Sequence, residues 1–255
     1  MLTALLAAAP CHADSPYSLN PKLEWTLLGT GALLDAVSVI LVGQVEPFTV
    51  DELDRLDVND INSFDRNGMH PYHDGSVGDV LVATTYLLPL TFLANDDMRR
   101  DWRTLGLMWV EANMINLGID GVVKATVKRP RPYAYDPNAP LDKRTDSSAR
   151  LSFYSGHTTG AALNCFFAAR VFSDYISSKR ARIAIWTGAA AIPAVVGYIR
   201  VDSGRHFRTD VITGYVVGAA IGYLVPELHR HPSDRLSLEP AAVLGDAGLA
   251  LNVSF

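Results

Sequence analysis

The sequence predicts an all-α protein: a helical bundle with a six-helix core, embedded in a membrane and followed by a small C-terminal β-hairpin. Three observations predict it. Apolar residues make up 49% of the 255 residues and charged ones 19%, ample material for a core. The apolar residues gather in six segments, roughly 26–44, 79–95, 104–122, 158–173, 183–200 and 211–227, whose lengths and Gly, Ala and Leu content favour helix over strand. Several of these are almost uncharged over about 16–18 residues, close to the ~20 that a bilayer span needs. Mean hydropathy is only +0.13, because long polar loops dilute the apolar runs. No linker-like stretch, internal repeat or low-complexity tract divides the chain.

Taken in order, residues 1–13 have the apolar run and small-residue end of a secretory signal, without its basic start. Cleavage is expected after Ala13. Cys11 follows Pro10, a poor setting for lipid attachment, and Cys165 lies in an apolar segment as an inert core thiol. Residues 14–232 form the helical body. Between its first two segments, the acidic insert Asp51 to Arg66 fails the alternation of a calcium loop, with Ile61 at a ligand place. It is expected to be a solvated amphipathic helix. His70, His73 and Asp74 in a Gly/Pro-containing loop read as a polar turn that lines an entrance, not as a metal site. His229 and His231 flank Arg230 and mark the end of the body. In the tail, 233–255, two alternating stretches surround Gly245-Asp-Ala-Gly248, the pattern of a hairpin.

Net charge is −5, and basic residues cluster instead of spreading over a face, which argues against a nucleic-acid partner. The cluster lies between Lys124 and Asp210. It opens with Lys124 and Arg131-Pro132, continues with Ser155-Gly156-His157, and closes with Arg200, His206 and Asp210. Lys and Arg suit the oxygens of a phosphate, and Arg can grip them bidentately. A Ser-Gly-His turn entering an apolar run offers backbone N–H groups at a helix N-terminus, a ready anion site. His206 and Asp210 have helical i, i+4 spacing, so the carboxylate is placed to orient the ring of an activated nucleophile. Lys128, Arg129, Arg205 and Arg208 supply field or headgroup contacts at most.

These three blocks resemble the signature of the type 2 phosphatidic acid phosphatase and vanadium haloperoxidase superfamily: Lys, six residues, Arg-Pro; Pro-Ser-Gly-His; Ser-Arg, five residues, His, three residues, Asp. Tyr154 and Ile199 depart from it, standing where Pro and Ser are usual. Neither position supplies a catalytic group. The resemblance implies that His206 attacks phosphorus to form a phosphohistidine, with Asp210 holding its ring. It implies that His157 protonates the leaving oxygen and then activates water. Lys124, Arg131, Arg200, the Ser155 hydroxyl and the Gly156 N–H would hold the phosphate oxygens. No metal or other cofactor is implied, and vanadate is expected as an inhibitor, or as the cofactor if the chain is a haloperoxidase.

An apolar body under a cationic site suits a substrate with an oily tail and a phosphate or pyrophosphate head. Residues 96–103 and 174–182 each carry three basic residues. If the first segment starts inside and all six span, both loops lie inside and both motif loops outside, as the positive-inside rule requires. The expectation is a lipid phosphatase of a bacterial-type inner membrane with its site on the periplasmic face. A cleaved signal would break that parity and favour a soluble periplasmic acid phosphatase. Oligomeric state is not legible.

Overall fold

The computed structural model describes residues 15–231, 237–243 and 246–252. The signal-like segment 1–13 lies outside the described residues. Six helices of ten residues or more stand where the apolar segments predicted them: α1 (Pro21–Gly43), α2 (Ser76–Thr85), α3 (Trp102–Val127), α4 (Gly156–Tyr175), α5 (Lys179–Asp202) and α6 (Arg208–His229). A 3₁₀ stretch, Leu88–Ala94, extends α2.

Local chemistry sets the helix starts. Asn20 caps α1 by accepting from Lys22 N at 3.0 Å, with Pro21 pre-set for the first turn. Ser155 caps α4 and Ser178 caps α5 in the same way. In α6 the Asp210 carboxylate reaches back to the Phe207 N–H at 2.9 Å. Lys128 ends α3 in the left-handed region, φ 49°, its N–H donating to Lys124 O at 2.9 Å.

α4 is the central element: every residue from Thr158 to Cys165 is buried. It runs parallel to α6, whose Gly214, Gly218 and Gly222 face the backbone of Ser155, Thr159 and Leu163. A Cβ at Gly218 or Gly222 would overlap a carbonyl of α4, so this close approach requires glycine. α1 runs parallel to α3 in the same manner, with Gly118 against Leu34 and Gly121 against Ser38. Polar pairs stitch α3 to α4: Trp109 Nε1 donates to Asn164 at 2.7 Å and Thr159 Oγ1 to Asn116 at 3.1 Å.

Four stretches are long and apolar enough to cross a membrane: Pro21–Gly43, Ser76–Ala94, Lys179–Asp202 and Arg208–His229. Their outward faces leave Leu33, Val39, Val80, Ile183, Val195 and Val216 exposed, a surface suited to lipid. α3 and α4 carry more polar side chains and lie further inside, where those groups find partners. The chain ends in an antiparallel pair, β1 (Ser237–Val243) and β2 (Asp246–Asn252), with Ser237 opposite Asn252.

The acidic insert differs from expectation. It is no single amphipathic helix but three short turns, Val50–Leu53, Val58–Asp60 and Ser63–Arg66. Asp57 and Asn62 accept from local N–H groups and start new turns, which interrupts any longer helix. Its Asp65 is fully buried and ties the insert to the start of α6.

Candidate active site

The site lies where α3 and α5 end and α4 and α6 begin. His206 occupies the turn between α5 and α6, a turn made possible by Gly204 at φ +65°. A Cβ at Gly204 would also press on the carbonyl of His70 at 2.7 Å.

His206 is 1% exposed. Its Nδ1 lies 2.8 Å from the Ser152 carbonyl oxygen and 3.6 Å from Asp210 Oδ2. A carbonyl can only accept, so Nδ1 carries the proton and Nε2 keeps its lone pair. Arg131 Nη1 donates towards that lone pair at 3.2 Å. Burial, then the cationic Arg131, holds the imidazole well below its usual pKa despite Asp210. The ring is therefore neutral, with Nε2 available as a nucleophile.

Asp210 acts on His206 less directly than its spacing suggested. The carboxylate is fully buried, accepting from Arg129 at 2.6 Å, from Ser152 Oγ at 2.6 Å and from Phe207 N at 2.9 Å. Asp210 thus fixes the residues on both sides of the histidine, Ser152 and Phe207, while the Ser152 carbonyl takes the ring proton.

Arg129 has a larger role than the sequence reading gave it. It bridges Asp210 and Asp65, donating to Asp65 at 2.7 Å and to Thr209 Oγ1 at 2.8 Å. Its guanidinium also stacks 4.1 Å from the Phe207 ring centre. Asp65 accepts from Thr209 N at 2.9 Å and from Asn62 at 2.8 Å. Burial opposes its charge, but Arg129, Thr209 and Asn62 outweigh that and hold the carboxyl below its usual range.

Three predicted cations gather here. Arg131 is anchored by the Ser148 carbonyl at 2.9 Å. Arg200 is 2% exposed and donates to Asp79 Oδ1 at 2.7 Å. Lys124 Nζ meets Asp120 at 2.6 Å and lies 2.7 Å from where a Cβ on Gly156 would stand. Glycine at 156 therefore keeps the lysine beside the N-terminus of α4. Lys124, Arg131 and Arg200 all lie within electrostatic reach of His157.

His157 opens α4, half-buried, its Nε2 2.8 Å from Asp79 Oδ1. The Ser155 hydroxyl is buried and pairs with Thr158 Oγ1 at 2.9 Å, acting as the helix cap. The first-turn N–H groups of Gly156 and His157 are what α4 offers an anion. His70 and His73 sit near the mouth with Asp202, which lies 3.1 Å from His73 Nε2.

Sequence reasoning missed Asp79, Asp65 and Ser152, and gave Arg129 only field or headgroup contacts. Asp79 lies in α2, far from every motif block, and no local pattern marks it. Ser152 was adjacent to the second block, yet it meets His206 through a backbone carbonyl that no side-chain motif records, and its hydroxyl serves Asp210.

The chain is 33% identical over 86 residues to lipid A 4'-phosphatase of Porphyromonas gingivalis, covering 34% of this chain and 33% of that protein. It is 29% identical over 153 residues to phosphatidylglycerophosphatase B of Bacillus subtilis, covering 57% and 68%. The chain thus spans about a third of the length of the first relative and two thirds of the second. The crystal structure of the transmembrane PAP2-type phosphatidylglycerolphosphate phosphatase from Bacillus subtilis aligns with 77% of this chain and 94% of its own, at 20% identity and a TM-score of 0.45. The PAP2 superfamily model matches residues 105–232, about half of the chain and all three motif blocks: the protein belongs to the PAP2 superfamily.

Proposed function

We propose that the protein is a phosphatase of lipid phosphates or pyrophosphates that works through a phosphohistidine. One observation carries the reading. His206 is buried and neutral, with Nδ1–H spent on a carbonyl and the Nε2 lone pair turned towards Arg131 in a cluster of cations.

In the first step Nε2 attacks phosphorus and the bond to the lipid oxygen breaks, while His157 gives that oxygen a proton. In the second, His157 takes a proton from water as its oxygen attacks, the P–N bond breaks, and phosphate leaves. Lys124, Arg131, Arg200 and the first-turn N–H groups of α4 stabilise the charge on the equatorial oxygens. Three fixed cations and a helix N-terminus supply the charge that metals bring to other phosphoryl transfers, so the proposed chemistry needs no metal. Vanadate, which mimics the five-coordinate phosphorus, is expected to inhibit.

The lipid character rests on the exposed apolar faces of the spanning helices and on the relatives, whose names specify lipid A and phosphatidylglycerophosphate. The basic loops 96–103 and 174–182 lie at the end of the bundle opposite the site, which supports a site on the outer face of the inner membrane.

The test is phosphate release in detergent with EDTA added during the assay, from phosphatidic acid, a prenyl pyrophosphate and p-nitrophenyl phosphate. The expected result is EDTA-resistant release, faster from the lipids, and inhibited by vanadate. A folded protein that releases phosphate from none of them would refute the proposal. Preference for p-nitrophenyl phosphate would shift it to a soluble phosphomonoester.

A further inference from the structure

Far from the active site, three ionisable side chains from three helices meet where water does not reach. Glu24 of α1, Glu111 of α3 and His229 of α6 are all fully buried, and one donor atom of each lies within 4.8 Å of the others. His229 is the last residue of α6, at the boundary expected of it, and its side chain is buried inside the bundle. Nineteen residues of α6 separate it from Asp210, roughly 28 Å along the helix. We propose that Glu24, Glu111 and His229 form a binding site for a divalent transition cation of the zinc class, which clamps α1, α3 and α6 together.

The imidazole argues for it first. His229 Nδ1 lies 2.7 Å from the Val225 carbonyl oxygen, so Nδ1 carries a proton and Nε2 is the nitrogen turned to the carboxylates. Nε2 faces two carboxylate oxygens, Glu24 Oε2 at 3.1 Å, a hydrogen-bond distance, and Glu111 Oε2 at 3.2 Å. With Nε2 unprotonated the three atoms are all acceptors, and they repel unless a cation lies between them. A ring nitrogen bound to metal while the other donates to a backbone carbonyl is the usual arrangement of a histidine ligand.

The distances fit as well. Ligands about 2.0–2.1 Å from zinc at tetrahedral angles stand about 3.3 Å apart, close to the 3.1 and 3.2 Å seen here. Glu24 is held by its other oxygen, which accepts from Asn20 N at 3.0 Å. Glu111 supplies an independent sign. Neither of its oxygens has a hydrogen-bond partner among the described residues, and the 3.2 Å approach to His229 lacks hydrogen-bond alignment. A protonated Glu111 would donate to the neighbouring Glu24 carboxylate. An ionised one would need compensation in an apolar interior. Two carboxylates, a neutral imidazole and a dication sum to zero charge. One nitrogen and two oxygens suit a borderline divalent ion.

The test uses the whole protein in detergent, purified without chelator, with metal measured by mass spectrometry. About one zinc-class ion per chain is expected, or one taken up on incubation with Zn²⁺, falling to background in Glu111→Gln and His229→Ala. Stripping with a membrane-permeant chelator is expected to lower Tm by roughly 5–10 °C, and Zn²⁺ to restore it. Should the variants fail to fold, Co²⁺ offered to the stripped wild type decides, through the visible absorption it gains on protein ligands. A wild type that binds neither Zn²⁺ nor Co²⁺ and shows no thermal shift would overturn the proposal, leaving the cluster balanced by protons alone. Phosphate release is read separately, so failure here leaves the phosphatase reading untouched.

Discussion

Asp79 holds both His157 and Arg200, at 2.8 and 2.7 Å, so an incoming phosphate must compete with a carboxylate for two of its partners. Asp79→Asn removes that negative charge and is expected to tighten inhibition by vanadate or phosphate by roughly 3–10-fold, the return from one partly exposed charge contact. An inhibition constant that is unchanged or weaker would mean that Asp79 serves only to orient His157. Asp65 invites a stability measurement. Its depressed pKa means that its contribution is fully present above the usual Asp range near 3.9 and is lost as pH falls through the lower folded value. Asp65→Asn is expected to cost about 1–3 kcal/mol at neutral pH, modest because Arg129 is partly exposed. That cost should shrink in acid, and denaturant unfolding at both pH values reads it. The motif residues were legible because chemistry repeats at fixed spacing. Asp65, Asp79, Glu24 and Glu111 were not, because each acts through a partner far away in sequence, and no spacing encodes that distance.

Helices were the most legible elements, since a run of apolar residues long enough to span a membrane has little alternative to helix. What the runs did not reveal was which helices lie inside. α4 is enclosed although its polar content makes it look the least suited to burial, because its Asn164 and Thr159 find partners on α3. The glycine ridge of α6, Gly214, Gly218 and Gly222, was present in the sequence, but a ridge identifies its partner helix only when both are seen. Gly218→Val forces a branched side chain against the Thr159 carbonyl and is expected to destabilise the protein by about 2–3 kcal/mol or more. Gly29, whose Cβ would meet nothing within 4 Å, should tolerate Ala without loss. Thermal unfolding of the two variants in detergent compares them. The acidic insert was misread for a related reason: Asp57 and Asn62 look like polar residues of a solvated helix, yet they start separate turns that deliver Asp65 to Arg129.

Across the whole molecule, the charges sort by end. The predicted phosphate-handling residues collect where α4 and α6 begin, and the basic loops and the Glu24–Glu111–His229 cluster collect at the other end, with an apolar belt between. Such an arrangement would suit the proposed lipid substrate, with its phosphate head at one face and its tail along the outward-facing helices, and it follows from alternating the direction of successive helices. The proposed mechanism requires that His206 become phosphorylated. The most direct measurement is a rapid quench of the protein with radiolabelled lipid phosphate under alkaline conditions that preserve phosphohistidine, followed by peptide mapping. Label is expected on the peptide that carries His206, absent from His206→Ala, whose release should fall by at least about 10³-fold. Label on another residue, or turnover in His206→Ala within tenfold of the wild type, would contradict it.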